Sequence, residues 1–514
     1  MVIPYRPEPY VDFSQPEPAA KIREALAQVA EQLGKDYPNW IGGREVRTDE
    51  QMVSINPGNT DQVIGRFPKI DAKLADEAVR AAAASFEHWS RFPYDARAKI
   101  LFKAAAIMRR RIYELCAWMV YEVSKSFAEA YGEVAEAIDF AEWYGREMLR
   151  IGGSQPTVPF PGEDNELRYI PLGVGVVIPP WNFPLAICSG MTDAALVTGN
   201  SVVLKPASTS PVIAYKYLEI LHEAGLPKDV VNFVTGPGGL MGDTLTAHPL
   251  TRFIAFTGSA EVGLHIHQLA ATPNPECKWI KRTILEMGGK DFVAVDDSAD
   301  LELAATESVT SAFGFQGQKC SAGSRLIVHQ AVYDTLVPMV VEKARKLSVG
   351  NPAEGNTIGA VIDKNAYNRI WEYIEVGKNE GKLLLGGEKL DLPGFYIPPT
   401  IFGDVPENAR IAQEEIFGPV LSIIKARDFD HMIAIANGTN YGLTGALISK
   451  NREHLERGRH ELHCGNLYLN RKCTGALVGV QPFGGFNMSG TDSKAGGSDY
   501  LLLFTQAKVI AERF

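Results

Sequence analysis

The segment FGFQGQKCSAGS (313–324) places one cysteine, Cys320, among small side chains and directly after Lys319. A thiol nucleophile needs access, a route to the thiolate and an oxyanion site close by. The Gly and Ser neighbours let a substrate approach. Lys319 either favours the thiolate or is a solvated neighbour, and the residues leave both open. An inert buried thiol is the competing reading, and the commoner fate of a free cysteine. In LEMGGKD (285–291), Glu286 precedes a Gly-Gly turn that leads into the apolar run FVAV. A carboxylate at such a flexible turn can act as a general base, or is an ordinary charged loop residue. IPPWNFP (178–184) follows the apolar run GVGVVI. Ligands of open α/β sheets bind beyond the carboxyl ends of strands. There the Asn182 amide can donate to a developing oxyanion, unless it only caps a rigid turn.

Four further segments have the chemistry of a cofactor site. VVLKPAS (202–208) sets Lys205 after an apolar run, in reach of a ribose or phosphate. TGPGGLMG (235–242) and FTGSAEVG (256–263) each put glycines after an apolar run. Neither has strict G-x-G-x-x-G spacing, but such turns present N–H groups at a helix N-terminus, which suits a pyrophosphate. In QEEIFGPV (413–420), Glu415 can bind ribose hydroxyls and Phe417 can pack on a flat ring; a helix end followed by a turn is the plainer reading.

These residues need elements to hold them. Apolar residues recur at three and four over residues 71–150, which predicts helices there. The first ~45 residues, with an amphipathic stretch from Ala20 to Leu33, predict a surface-packed arm. From about residue 172, short β-rich runs (173–178, 201–205, 231–234, 253–256) alternate with helical stretches. A second set occurs at 292–295, 325–329, 382–386, 420–426 and 445–449. The pattern predicts two α/β units with mainly parallel sheets. The apolar tail YLLLFTQAKVIAERF reads as a strand, paired within the chain or with another subunit.

The chain has 514 residues, 46% hydrophobic and 22% charged, with a net charge of −10. That length predicts two or three domains, and the charge excludes a chain-wide basic footprint for nucleic acid. The charge-free run from Ile170 to Thr192 contains four prolines and Asn182, so it reads as a buried strand and loop instead of a membrane span. Six sparse cysteines without a CxxC pair predict free thiols in a reducing compartment, hence the cytoplasm. His265 with His267, and His460 with His463 and Cys464, lack a second ligand cluster; no metal site is expected.

Taken in order, IPPWNFP, LKPAS, FTGS, EMGGK, GQKCS and EEIFGP closely resemble the NAD(P)-dependent aldehyde dehydrogenase superfamily, from about residue 40 (NWIGG) nearly to the C-terminus. The resemblance implies a Rossmann-like NAD-binding domain (1–150 and 172–286, with the arm at 1–45), an α/β catalytic domain (287–489) and an oligomerisation β-flap (151–171 and 490–514). It implies that Cys320 attacks the aldehyde, that Asn182 and the Cys320 N–H hold the oxyanion, and that Glu286 activates water against the thioester. Lys205 and Glu415 would bind the ribose hydroxyls of NAD, with Gly258 and Ser259 by the pyrophosphate. Ile178, Pro179, Pro180, Trp181, Ala207, Ser208, Gly238, Gly288 and Phe417 complete the implied cofactor surface. Ser208 stands where many strictly NAD-dependent relatives have Glu, so NADP is expected to be tolerated.

A narrower likeness lies in SAFGFQGQKCSA, the N-terminal arm and LNRKCTGALVGVQPFGGFNMSGTDSKAGG (469–497). These are similar to the L-glutamate γ-semialdehyde dehydrogenases, which act in proline and arginine breakdown. That resemblance implies that Gly475 and Ala476 anchor the substrate α-carboxylate, Ser321 adds a hydroxyl, Phe183 and Phe483 sandwich the aliphatic chain, and Glu136 lies near the amino end. It also implies a homo-oligomer, at least a dimer, and a separate proline dehydrogenase that supplies the semialdehyde. Another aldehyde substrate, or an inactive structural use of the fold, are the alternatives; retention of Cys320, Glu286, Asn182 and Lys205 argues against the second.

Overall fold

The computed structural model describes residues 4–514, with Leu240 as backbone only. The 71–150 region forms four helices, Ala72–Trp89, Tyr94–Arg110, Ile112–Val123 and Phe127–Ile151. Asp71 and Ser126 cap the first and last of these by accepting from Leu74 N and Glu129 N, which satisfies amides that have no partner inside the helix. The N-terminal arm contains a helix, Pro16–Ala30, whose Ile22, Ala25, Leu26 and Val29 are buried. The arm ends earlier than the expected ~45 residues. Asn39–Ile41 and Arg44–Val46 form a hairpin that extends the first large sheet.

That sheet runs in the order Arg282–Glu286, Thr251–Thr257, Val174–Ile178, Ser201–Leu204, Val231–Phe233, Asn39–Ile41, Arg44–Val46. The first five strands are parallel. Ser201–Leu204 is wholly buried, and Val174–Ile178 is buried up to its last residue, because helices cover both faces of a parallel sheet. The chain passes outward from Val174–Ile178 through the next two strands, then returns to its other side at Thr251–Thr257. The switch point therefore lies between those two strands, and ligands bind at their carboxyl ends. IPPWNFP and FTGSAEVG emerge there.

The second sheet has the order Lys382–Leu385, Thr400–Gly403, Val420–Ala426, Arg325–His329, Phe292–Val295, Thr444–Ile448, Asn466–Leu469. All pairs are parallel except the first. Strands Arg282–Glu286, Thr400–Gly403 and Asn466–Leu469 were not legible as strands. Arg282–Glu286 corrects one expectation: Glu286 is not on a flexible turn but ends an edge strand, paired with Thr257.

The tail strand Thr505–Arg513 pairs antiparallel along its length with Glu163–Pro171 of the same chain. The rest of the expected flap tail does not join it: Tyr500, Leu501 and Phe504 sit in the core with the helices of the first unit. Val158, Phe160, Val509 and Phe514 remain exposed on the two-stranded ribbon and beside it. Among the described residues, no helix is long and apolar enough to cross a membrane.

Candidate active site

The carboxyl ends of the first sheet face the amino ends of the second. Glu286, Thr257 and Ile178 end strands, whereas Cys320 and Phe417 precede Arg325–His329 and Val420–Ala426. Between them lies a cavity of about 720 Å³. Ile178, Pro179, Pro180, Trp181, Asn182, Lys205, Ala207, Gly238, Gly258 and Ser259 line one wall, and Gly288, Cys320, Glu415 and Phe417 the other. Ser208 alone of the expected cofactor residues is not in the lining; its hydroxyl donates to Gly236 O at 3.3 Å. Asp363, Arg369 and the hydrogen-bonded side chains of His265 and Asp243 (2.8 Å) also line the cavity. Sequence reading missed them, since charged residues on amphipathic helices carry no local mark.

The cavity suits a dinucleotide. Lys205 is largely buried and lines the cavity; desolvation lowers it to about 8. A cation at the cavity wall can serve a ribose hydroxyl or a phosphate of a ligand bound there. Ser259 caps helix Ala260–Ala271, whose first amides attract an anion. Nothing lies within contact of a Cβ built on Gly238, Gly239 or Gly242, so a ligand can approach the backbone there. Glu415 is fixed by accepting from Gly289 N at 3.0 Å, and Trp181 meets Phe417 edge-on at 5.5 Å.

Cys320 is half-buried on a strained loop. Phe315, Gln316 and Gly317 all have positive φ (50°, 56° and 67°). Neighbours over-determine this turn, as such strain requires: the Gln316 amide donates to Ser124 O and Ala360 O, and Gln318 Oε1 accepts from Ile362 N, each at 3.0 Å. Asn182 Nδ2 donates to Gln318 O at 3.0 Å. The amide carries two N–H groups, so one is left for an oxyanion at Cys320. Burial holds the thiol in its protonated form, reinforced by Asp291, Glu415 and Glu286. Lys319 does not counter this. Its ammonium pairs with Glu129 at 2.8 Å, with only 11% of its side chain exposed, so it is neither a thiolate partner nor a solvated neighbour.

Glu286 is braced by a segment that sequence reading did not associate with it. Met287 N donates to Ser489 O, and Thr491 N to Leu285 O. Ser493 Oγ donates to Glu286 Oε1 at 2.7 Å, while Oε2 is buried without a partner. Burial raises this carboxyl to about 8; the Ser493 hydroxyl and Lys494 oppose the rise. A carboxyl titrating near neutrality with one free oxygen is equipped to take a proton from water. A hydrogen bond to the charged form lowers a pKa, so Ser493→Ala moves the rising limb of the kcat–pH profile to higher pH. Steady-state rates across pH check this; an unmoved limb refutes the brace.

The expected substrate residues are not among those that line the cofactor cavity. Ser321 O accepts from Cys473 Sγ (3.4 Å), which ties the loop to the segment before Gly475. Gly475 has φ 76°, and the amides of Gly475 and Ala476 donate to no acceptor among the described residues. Consecutive free amides beside a left-handed residue are able to bind an anion. Phe183 meets Phe315 edge-on at 6.5 Å, with the Lys125 ammonium 4.0 Å from its ring centre. Phe483 is held by an antiparallel bridge to Ala495. Glu136, half-buried, is raised to about 8 by burial and then by Glu133. One metal-like grouping occurs among the described residues, Asp296, Asp297 and His454; Asp296 Oδ2 is already engaged by Ser298, Ser449 and His454.

A half-buried thiol, a side-chain amide with one uncommitted N–H, a raised carboxyl and a large cavity come together here, and residues 44–510 match the model of the aldehyde dehydrogenase family. The chain belongs to the aldehyde dehydrogenase family. Over its whole length it is 58% identical to the 1-pyrroline-5-carboxylate dehydrogenase of Geobacillus kaustophilus (strain HTA426), with 515 residues aligned and 100% of both chains covered. The fold matches that of the 1-pyrroline-5-carboxylate dehydrogenase from Thermus with bound NAD at a TM-score of 0.98, 51% identity and 100% coverage of both chains. It also matches proline utilization A from Bdellovibrio bacteriovorus, with a TM-score of 0.97 and 42% identity, over 99% of this chain and 53% of that one.

Proposed function

We propose that the protein oxidises L-glutamate γ-semialdehyde, the open form of 1-pyrroline-5-carboxylate, to L-glutamate with NAD. The observation that carries the reading is the pair of uncommitted amides at Gly475 and Ala476, in a segment tied to the Cys320 loop through Cys473 and Ser321. They supply donors for an α-carboxylate, and Glu136 an acceptor for the amino group, with Phe183 and Phe483 as apolar walls between.

In the first step the Cys320 thiol gives its proton to solvent and Sγ bonds to the aldehyde carbon; loss of hydride from that carbon then leaves a thioester on Cys320. The oxyanion accepts from the Asn182 amide and the Cys320 N–H. NAD, held by Lys205, Glu415 and the turn at Gly258 and Ser259, supplies the hydride acceptor when bound. Glu286 Oε2 then takes a proton from water as the water attacks the Cys320 thioester; the C–S bond breaks, and glutamate and the thiol are released. Ser208 carries no acid to repel a 2′-phosphate, so NADP is accepted as well. Residues 1–150 and 172–286 work as the cofactor domain and 287–489 as the catalytic domain. The ribbon of 163–171 and 505–513 joins copies into a homo-oligomer through its exposed apolar side chains. The setting is the cytoplasm, with a proline-oxidising enzyme as the source of substrate.

Ala476→Pro tests the substrate. It removes one anchoring N–H and raises the KM for glutamate semialdehyde about tenfold or more, the scale of a lost charge-assisted hydrogen bond. The KM for propionaldehyde stays within about twofold on the same reasoning. Equal effects on both aldehydes overturn the assignment.

A further inference from the structure

The segment ahead of helix Pro16–Ala30 is bound to the substrate side of the molecule. The Tyr5 hydroxyl donates to Val478 O at 2.8 Å, three residues beyond Gly475. Its ring packs edge-on against Trp143 at 5.1 Å. Between these rings lies Gly479, with φ 73°; a Cβ built there falls 2.9 Å from Trp143 and 3.0 Å from Tyr5. The turn closes on itself through Val480 N and Gln481 N donating to Leu477 O, and Gly479 N donates to Gly496 O. Tyr5 thus holds this turn from outside by a hydrogen bond to the Val478 carbonyl.

The same stretch reaches Glu136. Helix Phe127–Ile151 carries Glu136, Asp139 and Trp143 at spacings of three and four, hence on one face. Asp139 accepts from Glu8 N at 2.9 Å and lies against the Tyr5 hydroxyl. Tyr10 packs beside Gly132 and lies within electrostatic reach of Glu136. Arg109 pins the arm by pairing with Glu8 at 2.8 Å and Glu142 at 2.7 Å. One extended segment therefore touches both the turn beside the amide pair and the helix face that carries the acceptor.

We propose that this arm is a selectivity element: Tyr5 positions the 477–480 turn so that the Gly475 and Ala476 amides stay convergent on the substrate carboxylate. The inference rests on the substrate reading above. Tyr5 touches neither Cys320 nor the cofactor cavity, so it acts on binding of the zwitterion and not on the chemical step.

The test is steady-state kinetics of Tyr5→Phe and Tyr5→Ala with glutamate semialdehyde and with propionaldehyde. Tyr5→Phe keeps the ring and loses the hydrogen bond; its KM for the semialdehyde rises about fivefold, the usual worth of one such bond. Tyr5→Ala also removes the wedge against Gly479, and the rise exceeds about tenfold. In both, kcat and the KM values for NAD and propionaldehyde are unchanged. Should Tyr5→Ala misfold, by thermal unfolding, Tyr5→Phe decides alone. Loss of activity towards both aldehydes, or an unchanged KM ratio in Tyr5→Phe, overturns the proposal. A wild-type enzyme that does not prefer glutamate semialdehyde over propionaldehyde sinks the substrate reading instead, and the selectivity role with it.

Discussion

Cys320→Ala abolishes NADH formation from glutamate semialdehyde, with kcat/KM down by at least about 10⁴, the scale seen when a nucleophile is removed from a concerted site. Cys464 and Cys473 cannot substitute. Both are buried, their thiols held protonated by burial to about 12, and Cys473 is already engaged with Ser321 O. The fold survives, because the loop is held by Gln316, Gln318 and Asn182 and not by the thiol. The check is NADH absorbance together with thermal unfolding. Persistent turnover in a folded variant disproves covalent catalysis at this residue.

Glu286→Gln separates the two halves of the reaction. The amide occupies the same space and still receives the Ser493 hydrogen bond, so Cys320 is still acylated. Water is no longer activated, and kcat falls about 10³-fold, in the range general bases contribute. One equivalent of NADH per active site appears in a burst and then stops, and intact-mass analysis finds the acyl group on Cys320. Steady turnover without an adduct contradicts the role. The pH dependence has a fixed sign. Glu286 must be ionised to act, and burial has raised it to about 8. Wild-type kcat therefore climbs as pH rises through about 8 and levels off above it. The glutamine variant loses that limb.

About half of the cavity lining was legible, namely the residues in short segments next to strands, because local apolar runs reveal strands. Cys320, Asn182, Lys205 and Glu415 needed only their order along the chain. Glu286 was found by its motif but placed on the wrong kind of element. Arg282–Glu286 is a five-residue edge strand opening on a charged residue, and edge strands of that length lack a readable period.

Ser493 lies 207 residues from Glu286, and Tyr5 473 residues from Val478; no local pattern encodes such pairs. Lys319 is the clearest division between the two sources. Its place beside Cys320 is a fact of the chain, yet its charge is spent on Glu129, 190 residues away. The sequence by itself determined which groups are present and where the longer helices and the apolar strands lie, because those depend on composition and periodicity within a few residues. Only the tertiary structure decided where each charged group points, because that depends on which elements the two sheets bring face to face.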